Sequence, residues 1–159
     1  MPLAPCYGKV DFCRIGADVC LDWKPTLHGY LTHREDATTK NAVNNTIFRR
    51  QLDGRAFCND PDVFLLRDYN MQLNMTQRKI IAKVNKIFGK PCFSFSDNVD
   101  RYDAEQMAVF QDTLKTSDTK VLSAEYVKKD VVEVRFLEDG VEKHLRFNIT
   151  DGALLEGEF

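Results

Sequence analysis

The stretch Val10-Asp11-Phe12-Cys13-Arg14-Ile15-Gly16-Ala17-Asp18 sets the reading of the whole chain. Its first six residues form a short, largely apolar run that reads as a strand, stopped by the flexible Gly16 and followed by a polar tip. Downstream, Thr39 to Leu52 puts Val43, Ile47, Phe48 and Leu52 on one helical face, with Gly54 as the stop. Ala56-Phe57-Cys58 then runs into Asn59-Asp60-Pro61-Asp62, a second strand with a polar end. A helix from about Thr76 to Phe88, capped by Asn74 or Thr76 and stopped by Gly89-Lys90-Pro91, leads to a third short strand, Cys92-Phe93-Ser94-Phe95. Ser96-Asp97-Asn98 ends that strand, and a helix from about Asp103 to Lys115 follows. Strands alternating with helices imply parallel strands joined by helical crossovers, an α/β fold. Such folds place their active sites at the carboxyl ends of strands, where the polar tips lie here.

The period changes to two from Lys120. Val132, Val134 and Phe136 alternate with Glu133 and Arg135, and Leu145, Phe147 and Ile149 alternate with Arg146 and Asn148. Glu138-Asp139-Gly140 between them is a hairpin signal, and Lys128-Lys129-Asp130 turns an earlier strand, Val121 to Val127, into the pair. The tail is therefore expected to be a small antiparallel meander with one apolar face and one charged face.

The chain has 159 residues, enough for a hydrophobic core, and a formal charge of −2. That charge gives no electrostatic reason to expect a nucleic acid or an anionic membrane as partner. No apolar run reaches the roughly 20 residues of a spanning helix, and no signal-peptide pattern opens the sequence, so the expected location is the cytoplasm. Cys6, Cys13, Cys20, Cys58 and Cys92 show no C-x-x-C pair and read as reduced, mostly buried thiols. Sequons at Asn44, Asn74 and Asn148 are then attributed to chance. His28 and His33 lack carboxylate or cysteine partners at ligand spacing, so no metal is expected.

Three strand-end segments resemble a known family. Arg14-Ile15-Gly16-Ala17-Asp18, followed by Asp22-Trp23, is similar to the R-x-x-x-D segment that ends barrel strand six in α-galactosidases (melibiases). Asn59-Asp60-Pro61-Asp62-Val63 resembles their N-D-P-D segment on strand seven, and Phe93 to Asn98 their strand eight. Met1 to Tyr7 looks like the connection leaving strand five. The resemblance covers roughly the first three-quarters of the chain, in order and in register. It implies a partial (β/α) barrel, strands resembling six to eight, over residues 1–117, with the antiparallel tail, part of a β-sandwich, over 118–159. A whole barrel takes about 250 residues, so strands one to five are not in this sequence.

The implied activity is retaining hydrolysis of terminal α-galactosides such as melibiose or raffinose, with no cofactor. Such enzymes use two carboxyl groups about 5 Å apart, one nucleophile and one acid/base. By resemblance Asp18 is the acid/base, and Gly16 and Ala17 leave room for a sugar close to the backbone. Arg14 holds sugar hydroxyls or orients a carboxylate in the same cavity. The other reading of Arg14 and Asp18 is an i, i+4 surface ion pair. Asp60 and Asp62 either line or brace the sugar site, or serve as turn and helix-entry residues. Trp23 could stack on a sugar, although a lone Trp is more often core, and Asp97 and Asn98 read as a helix-entry cap.

The family's nucleophile follows a lysine, K-x-D, on strand four. Lys9-Val10-Asp11 has those letters but lies at the start of the strand, away from the site. The isolated chain is therefore expected to be inactive. Phe12, Ile15, Phe93 and Phe95 on open strand edges are expected to favour self-association or binding of the missing barrel half. The rival is a non-catalytic product or an independent α/β binding module.

Overall fold

The protein is described by a computed structural model covering residues 3–24, 27–31, 37–89, 97–157 and 159. Strand β1 (Phe12–Arg14) pairs in parallel with β2 (Cys58–Asp60), placing Phe12 beside Cys58, Cys13 beside Asn59 and Arg14 beside Asp60. Between them the chain forms α1 (Leu27–Leu31) and α2 (Thr39–Phe48). The expected helix to Leu52 breaks at Arg49, and Arg50–Leu52 tightens into a 3₁₀ turn. Thr38 caps α2 by accepting the Asn41 N–H.

Two further helices, α3 (Met75–Phe88) and α4 (Ala104–Leu114), begin at reciprocal capping boxes. Asn74 and Gln77 satisfy each other's orphan amides at the start of α3, as Asp103 and Gln106 do for α4. The third strand expected at 92–95 lies outside the described residues, as do Lys90, Pro91, Ser96 and His33.

The tail is a four-stranded antiparallel sheet in the order β3 (Thr119–Lys128), β4 (Val131–Glu138), β5 (Val141–Asn148), β6 (Ala153–Gly157). Asp139 and Gly140 both take positive φ, 52° and 82°, which is what a two-residue hairpin turn between β4 and β5 requires. The sequence reading misses β6, a five-residue edge strand without clear alternation.

One apolar core joins helices and sheet. Val43 and Ile47 of α2, Ile80, Ile81 and Val84 of α3, and Val132, Val134, Phe136, Leu145 and Phe147 of the sheet pack together. Each such side chain contributes about 1.5–3 kcal/mol on burial, so α3, packed against α2, α4 and the sheet, is the central strut. A polar tie reinforces it: the buried Glu138 at the end of β4 meets Lys86 at 2.6 Å, Lys143 at 2.6 Å and Lys83 at 3.4 Å.

A smaller cluster lies beneath β1, where Cys13, Ile15 and Phe57 are buried against Leu3, Leu52 and Ala56. This corrects one expectation. Ile15 is fully buried rather than left on an open edge, because the amino-terminal turn and the 3₁₀ turn cover it; Phe12 is 49% exposed. Phe93 and Phe95 lie outside the described residues. Cys6, Cys13, Cys20 and Cys58 are free thiols, but of these only Cys13 is buried, so the expectation of mostly buried cysteines does not hold. No helix among the described residues is long and apolar enough to cross a membrane.

Candidate active site

Parallel pairing brings Arg14 and Asp60 side by side at the carboxyl ends of β1 and β2, and Ile15 continues the ladder by donating to the Asp60 carbonyl at 3.2 Å. The Arg14 guanidinium then reaches all three aspartates picked out in the sequence. Its Nε donates to Asp60 Oδ2 at 3.1 Å, its Nη1 to Asp18 Oδ1 at 2.9 Å, and its Nη2 lies 2.8 Å from Asp62 Oδ1. Burial of Arg14 works against its charge. The hydrogen bond to Asp60 and the charges of Asp62, Asp60 and Asp18 outweigh that and push its pKa up, so it is a fixed cation.

The three carboxylates differ in setting. The Asp18 side chain is 83% exposed, Asp60 20% and Asp62 8%. Asp60 is both a turn residue and an Arg14 partner. Its Oδ1 accepts the Asp62 N–H at 2.9 Å across Pro61, closing an Asx turn, while Oδ2 holds the guanidinium. Arg14 and Asp18 do stand in the i, i+4 relation of a surface pair, within a cluster that also includes Asp60 and Asp62.

The segment after β1 is held from behind. Arg49 donates to the Ile15 carbonyl, and the Asp62 carboxylate accepts the Val19 N–H at 2.6 Å. Gly16 does not make room for a sugar: a Cβ there would lie 3.0 Å from the Asn45 Cβ, so the missing side chain lets the strand end approach α2. Trp23 is core and not a sugar platform. Its ring is buried, its Nε1–H donates to the Ile149 carbonyl at 2.9 Å, and Gly152 packs against it so closely that a Cβ would come within 2.8 Å.

Asn98 caps the 3₁₀ turn at 99–101 as expected, by accepting the Asp100 N–H. Asp97 does something else. Its Oδ2 accepts from the Leu66 and Arg67 amides at 2.6 and 2.9 Å and from the Tyr102 hydroxyl at 2.7 Å, pinning the loop that follows Asp62. Burial and the bond to Asp97 push the Tyr102 phenol well above its ordinary pKa, so it stays a donor. Sequence reading missed this brace because the two amides it holds are 31 and 30 residues away. Asp11 sits at the other end of β1, its carbonyl accepting the Cys58 N–H at 2.7 Å, so the K-x-D letters at Lys9–Asp11 are remote from Arg14. No group of His, Cys, Asp and Glu among the described residues is arranged to hold a metal ion.

No protein-family model matches this chain, and no curated protein matches it in sequence. Among solved structures it is similar to the α-galactosidase of Thermus thermophilus, TtGalA, solved with p-nitrophenyl α-D-galactopyranoside. The identity is 20% and the TM-score 0.63. The likeness is one of fold. It covers 89% of this chain but 27% of that enzyme, so the chain spans about a quarter of the length of the structure it matches.

Proposed function

We propose that this chain is the segment of a retaining α-galactosidase-like glycoside hydrolase that carries the acid/base carboxyl, Asp18, and acts on terminal α-galactosides without a cofactor. The observation that supports it most is the position of Asp18. It is a solvent-facing carboxyl at the carboxyl end of a parallel strand, anchored by Arg14, in a fold like part of an α-galactosidase. In that role Asp18 protonates the departing glycosidic oxygen and later activates water. Arg14 and Asp60 line the sugar site and Asp62 braces it, with Arg14 as the hydroxyl donor. Residues 1–117 are then the last portion of a (β/α)8 barrel and 118–159 the start of the tail domain. The nucleophile comes from the part of the enzyme this chain does not span, and the natural partner is that part or a second copy. A second reading, a non-catalytic α/β module, draws on the ordinary i, i+4 spacing of Arg14 and Asp18.

The test uses leaving groups. In the enzyme completed with the strands that carry the nucleophile, Asp18→Asn should slow alkyl α-galactosides by about 10²–10⁴-fold. It should slow p-nitrophenyl α-galactoside much less, because that leaving group needs little protonation. Equal losses, with deglycosylation shown not to limit either rate, would remove Asp18 from the role. The chain by itself should show no turnover. Turnover abolished by Asp18→Ala would place a second catalytic carboxyl within these 159 residues.

A further inference from the structure

We propose that Asp62 is the positioning residue of this site: it fixes the Arg14 guanidinium and the Asp18 backbone together, and does not itself meet the sugar. The inference rests on the reading of the site given above. Both carboxylate oxygens are already engaged, Oδ1 by Arg14 Nη2 at 2.8 Å and Oδ2 by the Val19 N–H at 2.6 Å. With its side chain 8% exposed, Asp62 offers almost no surface to a ligand.

The Val19 N–H belongs to the peptide that immediately follows Asp18. One carboxylate therefore holds the backbone behind Asp18 while Arg14, which it also holds, grips the Asp18 carboxylate in front. Charge-assisted bonds of this kind are about twice as strong as neutral ones, and a small displacement of a catalytic group is costly in rate.

The backbone of Asp62 shows how firmly it is placed. Its φ is +77°, in the left-handed region that strains a side-chain-bearing residue and that Asp tolerates better than most. Such a conformation persists when its surroundings over-determine it. Here the Asp62 N–H is bound by Asp60 Oδ1 at 2.9 Å, and its carbonyl accepts from Asn85 Nδ2 of α3 at 3.1 Å. The position of the central helix is thereby passed through Asp62 to Asp18.

The experiment compares Asp62→Gly with Asp62→Asn in the full chain. Glycine adopts the same φ without strain but removes the carboxylate, so the fold is kept. Asparagine keeps an acceptor and tolerates the backbone. Amide hydrogen exchange read by NMR should show Val19 losing more than about tenfold protection in Asp62→Gly, with Ile80 and Val84 of α3 unchanged, and most of it restored in Asp62→Asn. Unchanged protection at Val19, or an equal loss throughout α3, would overturn the proposal.

In the completed enzyme, Asp62→Gly should lower kcat on an alkyl α-galactoside by about a hundredfold and on p-nitrophenyl α-galactoside much less, with KM rising alongside as Arg14 is loosened. A raised KM with kcat preserved would make Asp62 a sugar ligand and overturn the proposal as well. If the unmutated enzyme hydrolyses no α-galactoside, the functional reading fails and the positioning role in catalysis with it. The Val19 exchange would then still decide whether Asp62 holds the Asp18 segment.

Discussion

Two charged clusters of this molecule are near mirror images in composition. One gathers the carboxylates of Asp18, Asp60 and Asp62 round a single guanidinium, and the other gathers Lys83, Lys86 and Lys143 round the Glu138 carboxylate. They differ in burial. In the second, the Glu138, Lys83 and Lys86 side chains are all 7% exposed or less, and Asp112 shares the two helical ammoniums at 3.7 and 2.9 Å. That cluster ties α3 and α4 to β4 and β5, with its central carboxylate buried and only Lys143 and Asp112 reaching the surface. In the first, exposure rises stepwise from Asp62 through Asp60 to Asp18, so the network starts in the fold and ends at a carboxyl open to another molecule. Both clusters run from buried to exposed members, but the first ends in a carboxyl 83% exposed and the second in groups 45% and 48% exposed. That difference separates the candidate site from the strut more than the number of ion pairs does.

The comparison breaks if the strut proves dispensable. Glu138→Gln leaves the lysine ammoniums under-compensated and should lower the unfolding free energy by about 3 kcal/mol in urea at pH 7. The same group predicts an acid response. Burial alone would raise the Glu138 pKa, but the bonds to Lys143 and Lys86 and the charges of Lys83 and Lys86 bring it from 4.5 down to about 2. The unfolded chain therefore takes up that proton first. The stabilisation is complete above about pH 4.5 and is lost as pH falls toward 2. Urea curves at pH 6, 4 and 3 should show wild type losing more stability than Glu138→Gln over that range, and parallel losses would refute the assignment.

A smaller effect is expected where the two regions are joined. Trp23→Phe keeps most of the buried ring but orphans the Ile149 carbonyl, and should cost about 1–2 kcal/mol by thermal or urea unfolding. A neutral result would mean that the Arg14 segment does not rely on the sheet for its anchorage. The smallest effect belongs to the tip of the gradient. Asp18→Ala should change stability by less than about 0.5 kcal/mol, because the side chain is 83% exposed. A loss approaching that of Glu138→Gln would make Asp18 a structural residue and erase the distinction.

What could be read from the sequence was local. Asn74 with Gln77 and Asp103 with Gln106 mark helix starts through bonds three residues apart, and both helices begin within a residue or so of the expected place. Period-two alternation likewise marked β4 and β5. Arg14 and Asp60 were legible as strand-end residues, but their adjacency depends on a parallel register 46 residues long. Four features escaped for the same reason. Asp97 bracing the 66–67 amides, Glu138 collecting lysines from α3, Ile15 roofed by the 3₁₀ turn, and Gly16 meeting Asn45 all depend on partners that no short window contains. The edge strand β6 escaped for a different cause, since five residues are too few for a period to show.

The indole bond from Trp23 to Ile149 spans 126 residues, and it has a bearing on the order of assembly. A chain emerges from the ribosome amino end first, at roughly 5–20 residues per second. Within this chain the segment bearing Arg14 and Asp18 is made well before the sheet, so its indole has no acceptor until β5 has been synthesised. Gln77 waits similarly for the Asp151 carbonyl, 74 residues on. The Arg14–Asp18 segment is consequently made before the group that locks it, and throughout that interval Trp23 is a large apolar ring in search of cover. Translation pauses or premature stops in the sheet would strand that ring, and it is there that chaperone dependence would arise.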